Sequence, residues 1–410
     1  MLTLRKSGVV AVISMAGIAA IVSSLIVFVR PHSNEQVFRE AWGALQIGDS
    51  RKVRLLIRAN GADPGFYAYR QVLECGLLAK HGHAVEALVR LDKSNITGCS
   101  SQFAQQLKAE CHYWLKDFRA AEIQLLSLIR EDPSNAEYHL WLGIIYYDQM
   151  KFSASALELQ RALLLNPNDH RSYRLLGVMH YQTDRFPAAI SYFKNALLIG
   201  GLDGQMEIVV FLAQVLLFDL RHREVIDLIN SVQKPTGEML AMKAESHWGL
   251  GEETLATQCI SQAEKISPED RRVLLFRSQL LIDTDCPGES LERLRSVLKN
   301  APHYQRAHYL LGRAYLKLGD QELYQLEMQA CQESEAFRRR LWDLWQQIID
   351  TRPSLDVINE AEKLAQEIGE QDLANRYATI RHELLSHQSP KYSAQKDTAS
   401  PSSQSFEPCE

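Results

Sequence analysis

The chain has 410 residues, 46% hydrophobic and 23% charged, an ordinary make-up for a folded body with ample material for a core. Its formal net charge of −5 lacks the basic excess with which nucleic-acid binders neutralise phosphates, so no nucleic-acid partner is expected. Seven cysteines, none in a Cys-x-x-Cys pair and one left over, read as small buried hydrophobes and not as a disulfide or zinc framework.

The first predicted element is apolar. After Leu4-Arg5-Lys6-Ser7, residues 8–29 carry no charge, and the run ends at Arg30-Pro31. At about 1.5 Å rise per residue a helix of this length spans about 33 Å, enough to cross a hydrocarbon core. A cleavable signal peptide needs a shorter apolar stretch closed by a small-x-small site. Ala16 and Ala20 fall mid-run, and the exit, Leu25-Ile26-Val27-Phe28-Val29, is bulky. The reading is a short flank at 1–7 and an uncleaved transmembrane anchor at 8–29. Arg5, Lys6 and the α-amino group slightly outweigh Arg30 and Arg39, which favours a cytoplasmic N-terminus and an extracytoplasmic remainder, periplasmic in a bacterium.

Beyond the anchor, small residues recur every 34 positions: Ala41, Cys75, Ala109, Gly143, Gly177, then Ala244, Ser278 and Gly312. The longer gap of 67 is twice 34 less one deletion. Other slots keep the period, as in Ala87, Ala121, Ser155 and Ala189, and prolines at 133, 167, 235, 268 and 302 mark unit ends. Within 136–169, Leu142-Gly143 and Tyr146 share one face of a first helix. A second helix carries Phe152, Ser155, Leu159 and Ala162 before Asn166-Pro167 ends it. Small residues are required where two helices cross closely. A period in the thirties means helical hairpins that bury their apolar faces only by stacking on neighbours, which makes an all-α solenoid.

The motif Leu142-Gly143-x2-Tyr146, Ser155-x3-Leu159, Pro167 resembles the tetratricopeptide repeat, as do Leu176-Gly177 with Ala189-x3-Phe193 and Leu311-Gly312-x2-Tyr315. The resemblance covers residues 34–338, about nine units, and implies a right-handed superhelical solenoid. With its apolar N-terminal run, the chain is similar to bacterial membrane-anchored tetratricopeptide-repeat proteins. Three units depart from the pattern. The unit at 204–236 is one residue short and puts Phe211 and Arg223 in small slots, the first unit has Val53 there, and the ninth has Tyr324. Past Arg338 the frame lapses. Leu341, Trp342, Leu344, Trp345, Ile348 and Ile349 define an amphipathic helix, and two more helices follow at 354–368 and 371–386. Residues 339–387 are expected to form a C-terminal helical cap. The Ser/Pro/Gln-rich segment 388–410 is expected to be a disordered tail.

No phosphate-binding loop, His-Glu-x-x-His, Gly-x-Ser-x-Gly or dinucleotide fingerprint is present, so the chain is read as non-enzymatic and without a cofactor. His81-Gly82-His83, at a turn, has no further ligands at metal-binding spacing. The family resemblance places the first helices on a concave groove, and carries the site assignment to Tyr113, Trp114, Tyr147, Arg171, Arg174, Tyr181, Trp248, Tyr309 and Arg313. Aromatics with arginines are the composition of protein-binding hot spots. A clamp at Arg171 and Arg174 for an acidic segment or terminal carboxylate competes with plain solvated charge, and Tyr147 and Tyr181 equally suit packing between units. The expected function is a membrane-anchored scaffold or adaptor that takes a protein or peptide in that groove. The alternative is an accessory subunit of an envelope enzyme, binding glycan or peptide, for which Tyr113-Trp114 offer a stacking surface.

Overall fold

The computed structural model describes residues 33–94, 96, 99–201, 205–351 and 353–388. The expected anchor at 8–29 and the expected tail, apart from Gln388, lie outside them. Among the described residues no helix is long and apolar enough to cross a membrane. The chain divides into two compact units, an N-terminal one ending at Leu115 and a C-terminal one starting at Lys116.

Every described element is helical. The N-terminal unit holds α1 (Asn34–Gln46), α2 (Ser50–Asn60), α3 (Tyr67–Lys80), α4 (Ala84–Lys93) and α5 (Cys99–Trp114). The C-terminal unit continues with α6 (Phe118–Glu131), α7 (Ala136–Asp148), α8 (Phe152–Leu165), α9 (His170–Gln182) and α10 (Phe186–Gly200). Then come α11 (Met206–Phe218), α12 (His222–Asn230), α13 (Gly237–Gly249), α14 (Glu253–Ile266) and α15 (Arg271–Asp283). The last five are α16 (Ser290–Asn300), α17 (Gln305–Leu318), α18 (Gln321–Ile348), α19 (Leu355–Glu367) and α20 (Gln371–Gln388). Helices alternate as first and second members of a 34-residue pair, as the period predicts.

The small slot works as its spacing implies. A Cβ on Gly143 would stand 2.8 Å from Leu159, and one on Gly177 would stand 2.7 Å from Phe193, so each glycine seats a side chain of its partner helix. Ser155 adds a hydrogen bond across the pair, its Oγ donating to the Gly143 carbonyl at 2.7 Å. The turn between paired helices has a period of its own. Gly48, Gly82, Lys116, Met150 and Asp184, then Gly251, Asp285 and Gly319, all hold positive φ at a spacing of 34, and between Asp184 and Gly251 the irregular unit places Leu220 in the same turn out of register. The next amide bonds back five residues, as Asp49 does to Ala44 (2.8 Å) and Lys151 to Tyr146 (2.8 Å), the Schellman closure of a helix end. The irregular unit at 204–236 has the shortest second helix, α12, of nine residues. Phe211, in its small slot, stacks on Phe193 at 5.8 Å and 5°.

The C-terminal segment departs from expectation. The boundary drawn at 338/339 falls inside α18, one continuous helix of 28 residues. Leu341, Leu344, Trp345 and Ile348 of α18, Ile358 and Ala361 of α19, and Tyr377 of α20 are buried in the same cluster as Leu140, Tyr147, Val178 and Val215. α18 to α20 therefore fold back onto the repeats.

Candidate functional site

Seven of the nine assigned groove residues lie on the first-helix face of the C-terminal unit, whose geometry is fixed by what lies on it. Near residues 147–153, Trp345 packs on Phe152 (ring centroids 6.0 Å apart). The Asp350 amide donates to the Met150 carbonyl at 3.1 Å, and its carboxylate accepts from the Ser153 amide (3.0 Å) and hydroxyl (2.7 Å). The Arg376 guanidinium lies 4.3 Å from the Tyr147 ring centre and donates to the Tyr147 hydroxyl at 2.8 Å. At the far end of the hairpin, Arg271 donates to the Gly369 carbonyl at 3.1 Å and the His303 amide to the Glu367 carbonyl at 3.2 Å. Gly369 is required there: its φ is +80°, and a Cβ would stand 2.7 Å from Ala301. The hairpin thus spans from α7 to α15 and the loop before α17.

The expected open groove is consequently closed over its middle. Tyr147 is only 7% exposed. Tyr181 packs among Phe186, Phe211 and Phe218 at 6.1–6.4 Å, and burial pushes its hydroxyl up to about 12. Trp248 is half-buried against the cluster of Leu240, Ala241 and Ala244. In the N-terminal unit Tyr113 and Trp114 are half-buried, and Lys80 Nζ lies 5.0 Å from the Trp114 ring.

The arginines are occupied as well. Arg171 makes a bidentate pair with Glu137 (2.9 and 2.6 Å) and donates to Asp169 at 2.9 Å. Burial opposes the Arg171 charge, but those carboxylates outweigh it and raise its pKa. Asp169 is held below the carboxylate range: its burial is outweighed by Arg171 and by Ser172. Arg174 faces Glu207 at 3.5 Å, Arg272 faces Glu245 at 3.0 Å, and Arg313 faces Asp283 at 2.6 Å. Each pair joins successive first helices, so these cations tie repeat to repeat. One assigned aromatic stays open. Tyr309 on α17 is 46% exposed, with the Arg313 guanidinium 6.0 Å from its ring centre.

Sequence reasoning missed Asp350 and Arg376 because their partners lie some 200 residues earlier. It also missed a cationic face on α2, where Arg51, Arg54 and Arg58 follow an i, i+3, i+7 pattern legible in the sequence.

Tandem helical pairs with a glycine-seated crossing and a Schellman turn define an all-helical repeat protein. Residues 145–204 and 277–323 match the model of the tetratricopeptide repeat. No curated protein matches it by sequence. Among solved structures, pilF of Pseudomonas aeruginosa is 18% identical, with 52% of this chain and 97% of that one covered and a TM-score of 0.44. The C-terminal part of a TPR repeat-containing protein of Cytophaga hutchinsonii is 14% identical, covering 58% and 99%, at 0.45. The human IFIT1 dimer with PPP-AAAA is 12% identical, covering 91% and 96%, at 0.41.

Proposed function

We propose that the chain is a non-enzymatic, membrane-anchored scaffold that binds a protein or peptide through the part of its first-helix face left open by its own C-terminal hairpin. The observation that carries this reading is Tyr309, 46% exposed on a first-helix face where Tyr147 is covered and Arg171, Arg174 and Arg313 are ion-paired. An exposed aromatic ring is the kind of anchor on which protein interfaces concentrate their energy. The uncharged run at 8–29 supports anchoring, the slight excess of Arg5, Lys6 and the α-amino group over Arg30 and Arg39 favours the repeats on the extracytoplasmic side, and the net charge of −5 favours a protein over a nucleic-acid partner. Anchoring would concentrate the partner at the membrane without adding contacts.

The test is affinity purification of the full chain from detergent-solubilised membranes, beside a Tyr309→Ala variant with an unchanged melting curve. The reading requires a stoichiometric protein partner that the variant loses or retains at least tenfold less, the range of a hot-spot truncation of about 2 kcal/mol. Equal recovery with both chains, or no partner with either, defeats it.

A further inference from the structure

The second described helix, α2, carries Arg51, Lys52, Arg54 and Arg58 and no acidic residue. Lys52 is answered by Glu40 at 2.9 Å. Arg51, Arg54 and Arg58 are exposed, lie on one face around Leu55 (60% exposed), and line with it a shallow cleft of about 290 Å³. Arg54 touches the Ser50 carbonyl and His81 Nε2, and none of the three meets a carboxylate among the described residues. This contrasts with the C-terminal unit, where the arginines of the first-helix face are ion-paired. Three unanswered cations with an exposed leucine among them form a surface suited to a dense anionic layer with apolar depth beneath it.

Position says which layer. Only Arg30 to Ser33 separate the apolar run from Asn34, and four residues reach at most about 14 Å. The Asn34 side chain donates to Asp63 at 2.9 Å, which ties the first residue of α1 to the loop just after α2. The Arg58 end of α2 is therefore the end nearest the chain's exit from the apolar run. Arg54 and Arg51 follow within two helical turns, about 11 Å, comparable with the Debye length in physiological salt.

We propose that the outer face of α2, through Arg51, Arg54 and Arg58 around Leu55, binds the anionic headgroups of the bilayer in which residues 8–29 are anchored. The proposal rests on the anchor reading, and its test separates the two. The full chain is placed in lipid nanodiscs of phosphatidylcholine alone, and in discs with about a third phosphatidylglycerol. Arginines are then modified with phenylglyoxal and mapped by mass spectrometry. A cation at an anionic surface gains about 1 kcal/mol, so modification of Arg51, Arg54 and Arg58 should slow about fivefold in the anionic discs, and high salt should abolish the effect.

Co-elution with both kinds of disc but equal modification in both keeps the anchor and overturns the headgroup site. Protection in anionic discs, with no retention by neutral ones, keeps the site and overturns the anchor. Protection by soluble polyglutamate but not by anionic discs would assign the face to an acidic protein and overturn the proposal.

Discussion

The arginines of α2 and those of the first helices in the C-terminal unit are the same side chain put to opposite uses. On the first-helix face Arg171 is held by two carboxylates in a half-buried site, and a cation so held is a structural part. On α2 Arg51 and Arg58 stand in water without a carboxylate. A charge satisfied inside the fold has little left to offer a partner, whereas an unanswered one exerts its field outward. The comparison teaches that arginine content marks neither a binding face nor a structural one. What decides is whether an acidic residue stands one repeat away.

The largest effect tests whether the covered face is truly core. Leu344 of α18 is fully buried in the cluster shared with the repeats. Leu344→Ala should cost about 2–5 kcal/mol of unfolding free energy, read from urea denaturation, with loss of cooperativity in α18 to α20. A cost below about 1 kcal/mol would mean that these helices are only loosely laid on the repeats, and the first-helix face would again be open to a partner.

Next in size is the direct comparison of the two arginine classes. Arg171→Gln leaves Glu137 and the buried Asp169 without the cation they share. Discounted for partial exposure, the cost should be about 1–3 kcal/mol. Arg58→Gln, on the exposed face, should move stability by no more than about 0.5 kcal/mol. Denaturant melts of both variants, side by side, check this, and equal costs would erase the distinction drawn between the two faces.

The repeat architecture was legible because one rule, a small residue where two helices cross, is imposed again at every pair. Gly143 and Gly177 are visible in sequence for the same reason that they fit against Leu159 and Phe193. The turn slot was only half visible: Gly48, Gly82, Gly251 and Gly319 mark it at the same period, but the other units have no glycine there. Lys116, Met150 and Asp184 occupy it with positive φ, and nothing in those side chains announces a left-handed backbone. The pairing of Arg171 could have been found, since Glu137 stands 34 residues before it with opposite charge. The return of α18 to α20 could not. Leu341, Leu344, Trp345 and Ile348 declare an apolar stripe, but a stripe states only that a partner exists. Its partners here include Phe152, nearly 200 residues away, and any exposed end of the solenoid would have answered the same pattern.

An effect smaller than that of Arg171→Gln concerns how paired helices are stitched together, and it depends on pH. His308 Nδ1 lies 2.7 Å from Glu327 on the partner helix α18, and its Nε2 lies 2.8 Å from the Pro302 carbonyl. His139 repeats the arrangement with Glu158 at 2.7 Å and the Pro133 carbonyl at 3.2 Å. Both ring nitrogens of His308 face acceptors, and only the doubly protonated ring can donate to both. Burial disfavours the His308 charge, but Glu327, the Pro302 carbonyl and Glu333 outweigh it and raise its pKa above the ordinary value. A raised folded-state pKa contributes stability fully below the unfolded value of about 6.5, and that contribution is lost as pH climbs through the folded value. His308→Gln keeps a single donor group and no titration, so it should cost about 1 kcal/mol at mildly acidic pH. The difference from the parent chain should shrink as pH rises from the unfolded value through the raised folded one. Melting curves of the two chains across that range settle the point, and a difference that stayed constant or grew with pH would show that the ring is not held as a cation.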